Sequence, residues 1–181
     1  MSNIFFCADT HLGHTNILKY QPNRKYATIE EMNADIIRIW NETVGPQDTV
    51  WFLGDMCMGP KQFHLDFLNQ LNGTVNFVFG NHDYHLAKLA KRGELPPNVI
   101  PHPQIVNKKL GGQDFVLCHF PLEDWEGRAE HFGNEPGTGS FCAHGHTHGR
   151  LGTVTAPGRI DIGFDNFHRP VEVSEVLSLL S

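Results

Sequence analysis

Short apolar runs, each ending in polar or glycine-bearing residues, punctuate the chain: NIFFCADTH, TVWFLGD, VNFVFGNHD, FVLCHFP, FCAHGHTH and RIDIGFDN. Runs of this length bounded by turn residues read as buried strands whose ends open into polar loops. Between the first two, TIEEMNADIIRIWNETV sets Ile29, Met32, Ile36, Ile37, Ile39, Trp40 and Val44 near a 3.6-residue period. With Thr28 and Glu31 spaced as a capping box, that stretch predicts a helix. Two further helices are predicted over KQFHLDFLNQL and over YHLAKLAKR, where Leu86, Leu89 and Ala90 share a face. In the second half, IVNKKLGGQDFVLCH predicts instead a hairpin turned at Gly111 and Gly112. Helices alternating with strands first and a hairpin later predict a mixed α/β sandwich rather than a doubly wound parallel sheet.

No repeat, low-complexity tract or linker divides the 181 residues, so residues 1–181 are expected to form one domain, large enough to bury a core. The formal net charge of -6 offers no basic field to hold a polyanion, so long DNA or RNA is not an expected partner. The start MSNIFFCADTH has neither a basic leading region nor a long apolar run, so neither a secretory signal nor a membrane span is expected. Cys7, Cys57, Cys118 and Cys142 lie far apart without CxxC spacing, which argues against a zinc knuckle or a disulfide framework and for a reducing, cytoplasmic setting. Each is expected to pack as a small buried hydrophobe.

Twelve histidines change the picture through where they fall. At the ends of the apolar runs stand Asp9 and His11; Asp55 after Gly54; Asn81, His82 and Asp83 after Gly80; His119; and His146 and His148. Carboxylate, imidazole and amide are the donors that suit first-row divalent cations. Any one cluster reads equally well as a turn or a cap. Five of them at the carboxyl ends of predicted strands fall where an α/β fold gathers its site.

The order of these clusters, Asp9-Thr10-His11, Gly54-Asp55, Gly80-Asn81-His82-Asp83, His119 and Gly145-His146-Thr147-His148, resembles the calcineurin-like metallophosphoesterases, whose pattern is DxH, GDxx, GNHD or GNHE, an isolated His and GHxH. The resemblance spans nearly the whole chain and points to a short, single-domain branch. It implies a four-layer αββα sandwich of two mixed β-sheets flanked by helices. It also implies two divalent metal ions, Mn²⁺ favoured and Fe or Zn²⁺ possible, since such donors suit all three. One ion would be held by Asp9, His11, Asp55 and His148, the other by Asp55, Asn81, His119 and His146. Asp55 would bridge them, as a carboxylate with two oxygens can and an imidazole cannot. In this scheme a metal-bridging hydroxide attacks phosphorus. His82 is the implied general acid, contacting the phosphoryl group and protonating the leaving alkoxide. Asp83 is expected to cap the next helix or orient its loop.

Other residues leave alternatives open. If the HLGHTN loop turns helically, His11 and His14 share a side, and His14 and Asn16 can reach a substrate phosphate or support a ligand; the alternative is a loop histidine capping the next element. Arg150 can meet a phosphate oxygen or be a solvated surface arginine. In HGHTHG, Gly145 and Gly149 are expected to supply permissive backbone, with His144 supporting a ligand or packing. Trp125, in the polar segment 121–140 with Phe120 and Phe132, can stack a base or bury a patch beneath the loop. His64, His85, His102, His131 and His168 have no readable partner spacing and are assigned to surface or helix positions.

GDMCMGP departs from the GDxVDRG of the phosphoprotein phosphatases, so that activity is not expected. With only a strand and tail after residue 148, large added nuclease or nucleotidase domains are not expected either. The favoured substrate is a small phosphodiester of nucleotide or cyclic nucleotide type. The alternatives are a phosphomonoester and, since every ligand position and His82 are present, less readily a non-catalytic binding module. The oligomeric state is not legible.

Overall fold

The computed structural model describes residues 2–125, 127–128 and 139–180. The first half runs β1 (Ile4–Cys7), α1 (Ile17–Tyr20), α2 (Ile29–Thr43), β2 (Thr49–Phe52), α3 (Lys61–Leu68), β3 (Thr74–Val78), α4 (Tyr84–Lys91) and β4 (Val99–His102). The second runs β5 (Ile105–Leu110), β6 (Gln113–Cys118), β7 (Phe141–His144), β8 (Val154–Ala156), β9 (Arg159–Asp161), α5 (Phe164–Phe167), β10 (Val171–Glu172) and α6 (Val173–Leu180). They build two five-stranded sheets, ordered β10-β1-β2-β3-β4 and β5-β6-β7-β9-β8. Both are mixed: β1 to β4 are parallel with β10 antiparallel at one edge, while β6, β7 and β9 are parallel between antiparallel β5 and β8. The expected mixed α/β architecture, two mixed sheets flanked by helices, is the one found.

Alternation explains the layers. Phe5, Cys7, Val50, Phe52, Val75 and Phe77 point to the helix side, where they pack with Met32, Ile36 and Trp40 of α2, Phe67 and Leu68 of α3, and Leu86 and Leu89 of α4. Their sequence neighbours Phe6, Ala8, Trp51, Leu53 and Val78 point the other way, onto Phe115, Leu117, Phe141, Ala143 and Ile160 of the second sheet. Burial on both faces is why these strands read as unbroken apolar runs. Truncating a ring such as Phe6 or Phe52 to alanine should cost about 3–5 kcal/mol. Val116 and Cys142, on the far face of the second sheet, pack with Trp125.

The predicted cap forms, Glu31 N donating to Thr28 Oγ1 at 3.1 Å, while Glu31 Oε2 reaches back one residue further than a capping box, accepting from Ala27 N at 2.9 Å. The hairpin turns at Gly111 and Gly112, both with positive φ, as a two-residue turn requires. Sequence patterning stopped short at the C-terminus. RIDIGFDN is strand only to Asp161 before becoming α5, and α6 follows where a strand and tail were expected. Among the described residues, no helix is long and apolar enough to cross a membrane.

The consequence of this topology is positional. The loops after β1, β2 and β3 leave one sheet at the same end, and those after β6 and β7 leave the neighbouring parallel strands of the other.

Candidate metal centre

Backbone hydrogen bonds lace these loops together. Asp9 N donates to Gly54 O at 2.9 Å, His11 N to Asp55 O at 3.1 Å, and Gly145 N to His119 O at 3.0 Å. His82 N donates to Asp55 Oδ1 and His146 N to Asp9 Oδ2, at 2.9 and 2.8 Å. Within this lacing, Asp9, His11, Asp55, His146 and His148 all have φ between 48° and 68°, the left-handed region. Such a conformation costs a non-glycine residue of order 1–3 kcal/mol and persists where surroundings over-determine it, often at functional sites. The turns needed in HGHTHG are therefore taken by the two histidines themselves and by Gly149 at φ 72°. Gly145 has another reason: a Cβ there would sit 2.4 Å from Asp9 Oδ2.

The side chains converge as two groups whose donor atoms lie within 4.8 Å of one another: Asp9, His11 and His148, and Asp55, His119 and His146. Asp55 Oδ2 lies 3.4 Å from His119 Nε2 and 3.7 Å from His11 Nε2, between the groups. Asn81 Oδ1 is 3.1 Å from His119 Nε2. His82 is more open, its side chain 42% exposed with Nε2 4.0 Å from Asp55 Oδ2. Asp83 stands at the N-cap position of α4 but its side chain makes no cap bond there; the buried carboxylate accepts instead from Asp55 N, Met56 N and Gly80 N at 2.7, 3.1 and 2.7 Å, orienting the loops.

These residues fit divalent cations. Asp9 Oδ1 and both His11 ring nitrogens are buried without a hydrogen-bond partner, a costly arrangement unless something else satisfies them. His11 Nε2 and His148 Nε2 stand 3.9 and 4.0 Å from Asp9 Oδ1, too far to bond it and suited to flanking a common ion. Burial pushes His11 down to about 2 against the pull of Asp55, so its imidazole is a neutral lone-pair donor. Burial raises Asp9 to about 7, with His119 and His148 opposing. Burial lowers His119, but its bond to Asp55 and the charges of Asp9 and Asp55 outweigh this and raise it to about 9. The field of the site thus favours added positive charge.

Neighbours fix which nitrogen His119 and His148 turn toward the carboxylates. His119 Nδ1 donates to Leu53 O at 2.7 Å, leaving Nε2 toward Asp55. His148 Nδ1 bonds Asp165 Oδ2 at 2.7 Å. Arg24, 3% exposed, grips Asp165 with Nε and Nη2 at 2.7 and 2.8 Å and donates to Thr10 O and Asp9 O. Asp161 accepts from Thr147 Oγ1, Gly149 N and Gly163 N, tying down the loop that carries His146 and His148. Sequence reasoning missed Arg24, Asp161 and Asp165. Both aspartates belong to RIDIGFDN, Asp161 as the last residue of β9 and Asp165 near the end of the run, whereas QPNRKY carries no signal for Arg24.

The remaining expectations divide. The loop does not turn helically, since His11 and Gly13 have positive φ and Leu12 bridges Cys57, but His14 N bonds His11 O across the turn and the two rings still lie 5.5 Å apart. His14 Nδ1 is buried without a partner, and its ring is 6.3 Å from that of His82. Asn16 is exposed at the start of α1 and makes no side-chain cap there. Exposed Arg150 folds back through Nε onto Thr147 O at 3.1 Å, and its charge helps lower the pKa of His146 after burial and His119. His144 is buried, with Nδ1 on Gly145 O and Nε2 on Thr155 Oγ1, and joins neither group. Trp125 is 5% exposed with Nε1 donating to Ser140 O, which rules out base stacking and supports the buried-patch reading. His64 takes the helix position of the two expected, in α3, and is buried there. All four cysteines are buried and unpaired, as expected. His131 and Phe132 lie outside the described residues.

Comparison with known proteins agrees with this geometry. The calcineurin-like phosphoesterase superfamily domain matches residues 3–159. The gene 66 protein of Mycobacterium phage D29 is 29% identical over all of this chain and 97% of its own. The symmetrical bis(5'-nucleosyl)-tetraphosphatase of Vibrio cholerae is 36% identical over 40% of this chain and 33% of its own. Among solved structures, an Aquifex aeolicus protein superimposes with a TM-score of 0.72 at 22% identity, over 99% of this chain and 100% of its own. An archaeal phosphodiesterase does so at 0.51 and 19%, over 89% and 82%. At these identities the superpositions show a shared fold.

Proposed function

The chain belongs to the calcineurin-like phosphoesterase superfamily, and on that premise we propose that it hydrolyses a small phosphodiester of nucleotide type, with His82 as general acid. The observation that carries this reading is the shared carboxylate: Asp55 stands between two ligand groups and also lies 4.0 Å from the half-open His82. Asp9, His11 and His148 would hold one divalent ion and Asn81, His119 and His146 the other, with Asp55 common to both. Mn²⁺ is the favoured ion, Fe or Zn²⁺ the alternatives; such a pair supplies Lewis acidity at phosphorus and lowers the pKa of water.

The chain's own residues do the rest. Asp55 Oδ1 accepts from His82 N and so fixes the backbone that presents the imidazole. His82 Nε2 holds the proton destined for the leaving oxygen, and its exposure lets the ring be reprotonated from solvent. Arg24, Asp161, Asp165 and Asp83 hold the ligand loops in place before substrate arrives, the preorganisation that catalysis by charge stabilisation needs. The diester preference draws on the likeness to the archaeal phosphodiesterase, and the nucleotide preference on the tetraphosphatase relative. A net charge of -6 supports a small substrate over long nucleic acid.

The test is turnover with Mn²⁺ on bis-p-nitrophenyl phosphate and on p-nitrophenyl phosphate. Faster diester hydrolysis is expected. Monoester preference would reverse the substrate assignment, and no turnover of either by metal-loaded protein would favour a binding module.

A further inference from the structure

Phe120 follows the ligand His119 directly and is 41% exposed. Its ring lies edge-on to two imidazoles of the same ligand group, with centroids 4.9 Å from His119 and 4.8 Å from His146. The two imidazoles are themselves 5.2 Å apart, so the phenyl ring packs against both in a three-ring cluster that restrains it on that side. A restrained exposed aromatic gives up little side-chain freedom when a second ring stacks on it. The sequence pointed to Trp125 for such a role, but its ring is spent on the core.

The position of Phe120 relative to the acid indicates where a stacked group would lie. The ring neighbours of His82 are His11 and His14, at 5.5 and 6.3 Å, whereas those of Phe120 are His119 and His146. A group over Phe120 would thus lie on the His119 and His146 side of the centre, while the ring contacts of His82 are with His11 and His14. We propose that Phe120 is a specificity-determining residue that stacks the nucleobase of the substrate, so that nucleotide diesters are preferred over alkyl diesters. This rests on the phosphodiesterase reading for its kinetics, but not for its binding.

The experiment therefore has two arms. In the first, Mn²⁺-loaded protein is titrated calorimetrically with thymidine 5'-monophosphate and with inorganic phosphate. Wild type should prefer the nucleotide, and Phe120→Ala should cut that preference about ten-fold, within the range of base–aromatic stacking. Phe120→Trp should keep it, which also shows that the position tolerates substitution. In the second arm, kcat/KM for thymidine 5'-(p-nitrophenyl phosphate) relative to methyl p-nitrophenyl phosphate should fall by a similar factor in Phe120→Ala. No nucleotide preference in wild type, or one unchanged by Phe120→Ala, would overturn the proposal. If neither ester is hydrolysed while the binding preference behaves as expected, the phosphodiesterase reading fails and the role of Phe120 in binding stands.

Discussion

His148 offers Nδ1 to Asp165 at 2.7 Å, which turns its Nε2 toward Asp9. Burial raises the pKa of Asp165, but the bonds from Arg24 and His148 outweigh it and hold the carboxyl well below its usual range. Orienting partners of this kind contribute to metal affinity as well as to shape. In Asp165→Asn one carboxylate oxygen becomes an NH₂ group, so bonding to both Arg24 nitrogens and to His148 is no longer satisfied together. The affinity of the Asp9, His11 and His148 group for Mn²⁺ should fall about 10- to 100-fold. Metal titration of the purified variant measures this, and two sites of unaltered affinity would exclude the orienting role.

Arg24 is the other half of that relationship, and removing it should be felt in stability. Arg24→Met takes the guanidinium from the Asp165 charge, whose side chain is 4% exposed and keeps the bond to His148, and leaves Asp9 O and Thr10 O without that donor. Breaking a buried pair from one side costs about 3–5 kcal/mol. Arg24→Lys should rescue little, because an ammonium cannot fork to two oxygens. Urea unfolding of metal-free protein reports both changes; a loss below about 1 kcal/mol would place the pair among weak surface bridges.

For His82 the informative quantity is how the loss depends on the leaving group. A nucleoside alkoxide needs a proton as it departs, whereas p-nitrophenolate leaves readily without one. His82→Ala should therefore slow cleavage of an alkyl nucleotide diester by about 10²- to 10⁴-fold, and cleavage of a p-nitrophenyl ester by much less, with metal content retained. Equal losses on both substrates would point to a binding role instead.

How much of this centre was legible depends on where each contribution came from. Asp9, His11, Asp55, His119, His146 and His148 stand at strand ends and bear the donor types a cation needs, so spacing and chemistry sufficed to bring them together. The doubly buried strands announced themselves as apolar runs for the same local reason. Arg24 reaches the site by folding back over 141 residues of sequence separation to Asp165, and nothing local in QPNRKY encodes that contact. The left-handed backbone of Asp9, His11, Asp55, His146 and His148 was also hidden, since it opposes local preference and is imposed by the surrounding bonds.

Gly145 tests how tightly that backbone is packed. Its φ is not positive, so alanine is permitted by its own torsion; the obstacle is space, with Asp9 Oδ2 and Ala8 Cβ 2.4 and 2.7 Å from the added carbon. The methyl group would push the loop off Asp9 and break the bond from His146 N. Gly145→Ala should lose metal at both groups, seen by elemental analysis, while far-ultraviolet circular dichroism stays unchanged. Full metal occupancy would mean the loop yields at little cost.

His64, away from the ligand groups, gives a pH signature. It is fully buried; Nε2 donates to Gly59 O at 3.0 Å, so Nδ1, 2.7 Å from Cys57 Sγ, accepts from the thiol. The contact with the thiol requires a neutral ring, since Nδ1 must accept, and burial raises the pKa of Cys57, keeping its proton in place. Burial, opposed by Gly59 and aided by His85, lowers the pKa of His64 below its ordinary value. In the unfolded chain the ring takes up a proton near pH 6.5; in the fold it does so only at lower pH. Its contribution is therefore complete above about 6.5 and is lost as pH falls from there through the folded value. The slope of unfolding free energy against pH in that window should carry up to about 1.4 kcal/mol per unit from this one group. His64→Leu should be flatter by that amount, whatever its absolute stability. Urea unfolding with chelator present keeps the ligand histidines equal in both proteins, and coincident slopes would show that the acid-labile group lies elsewhere.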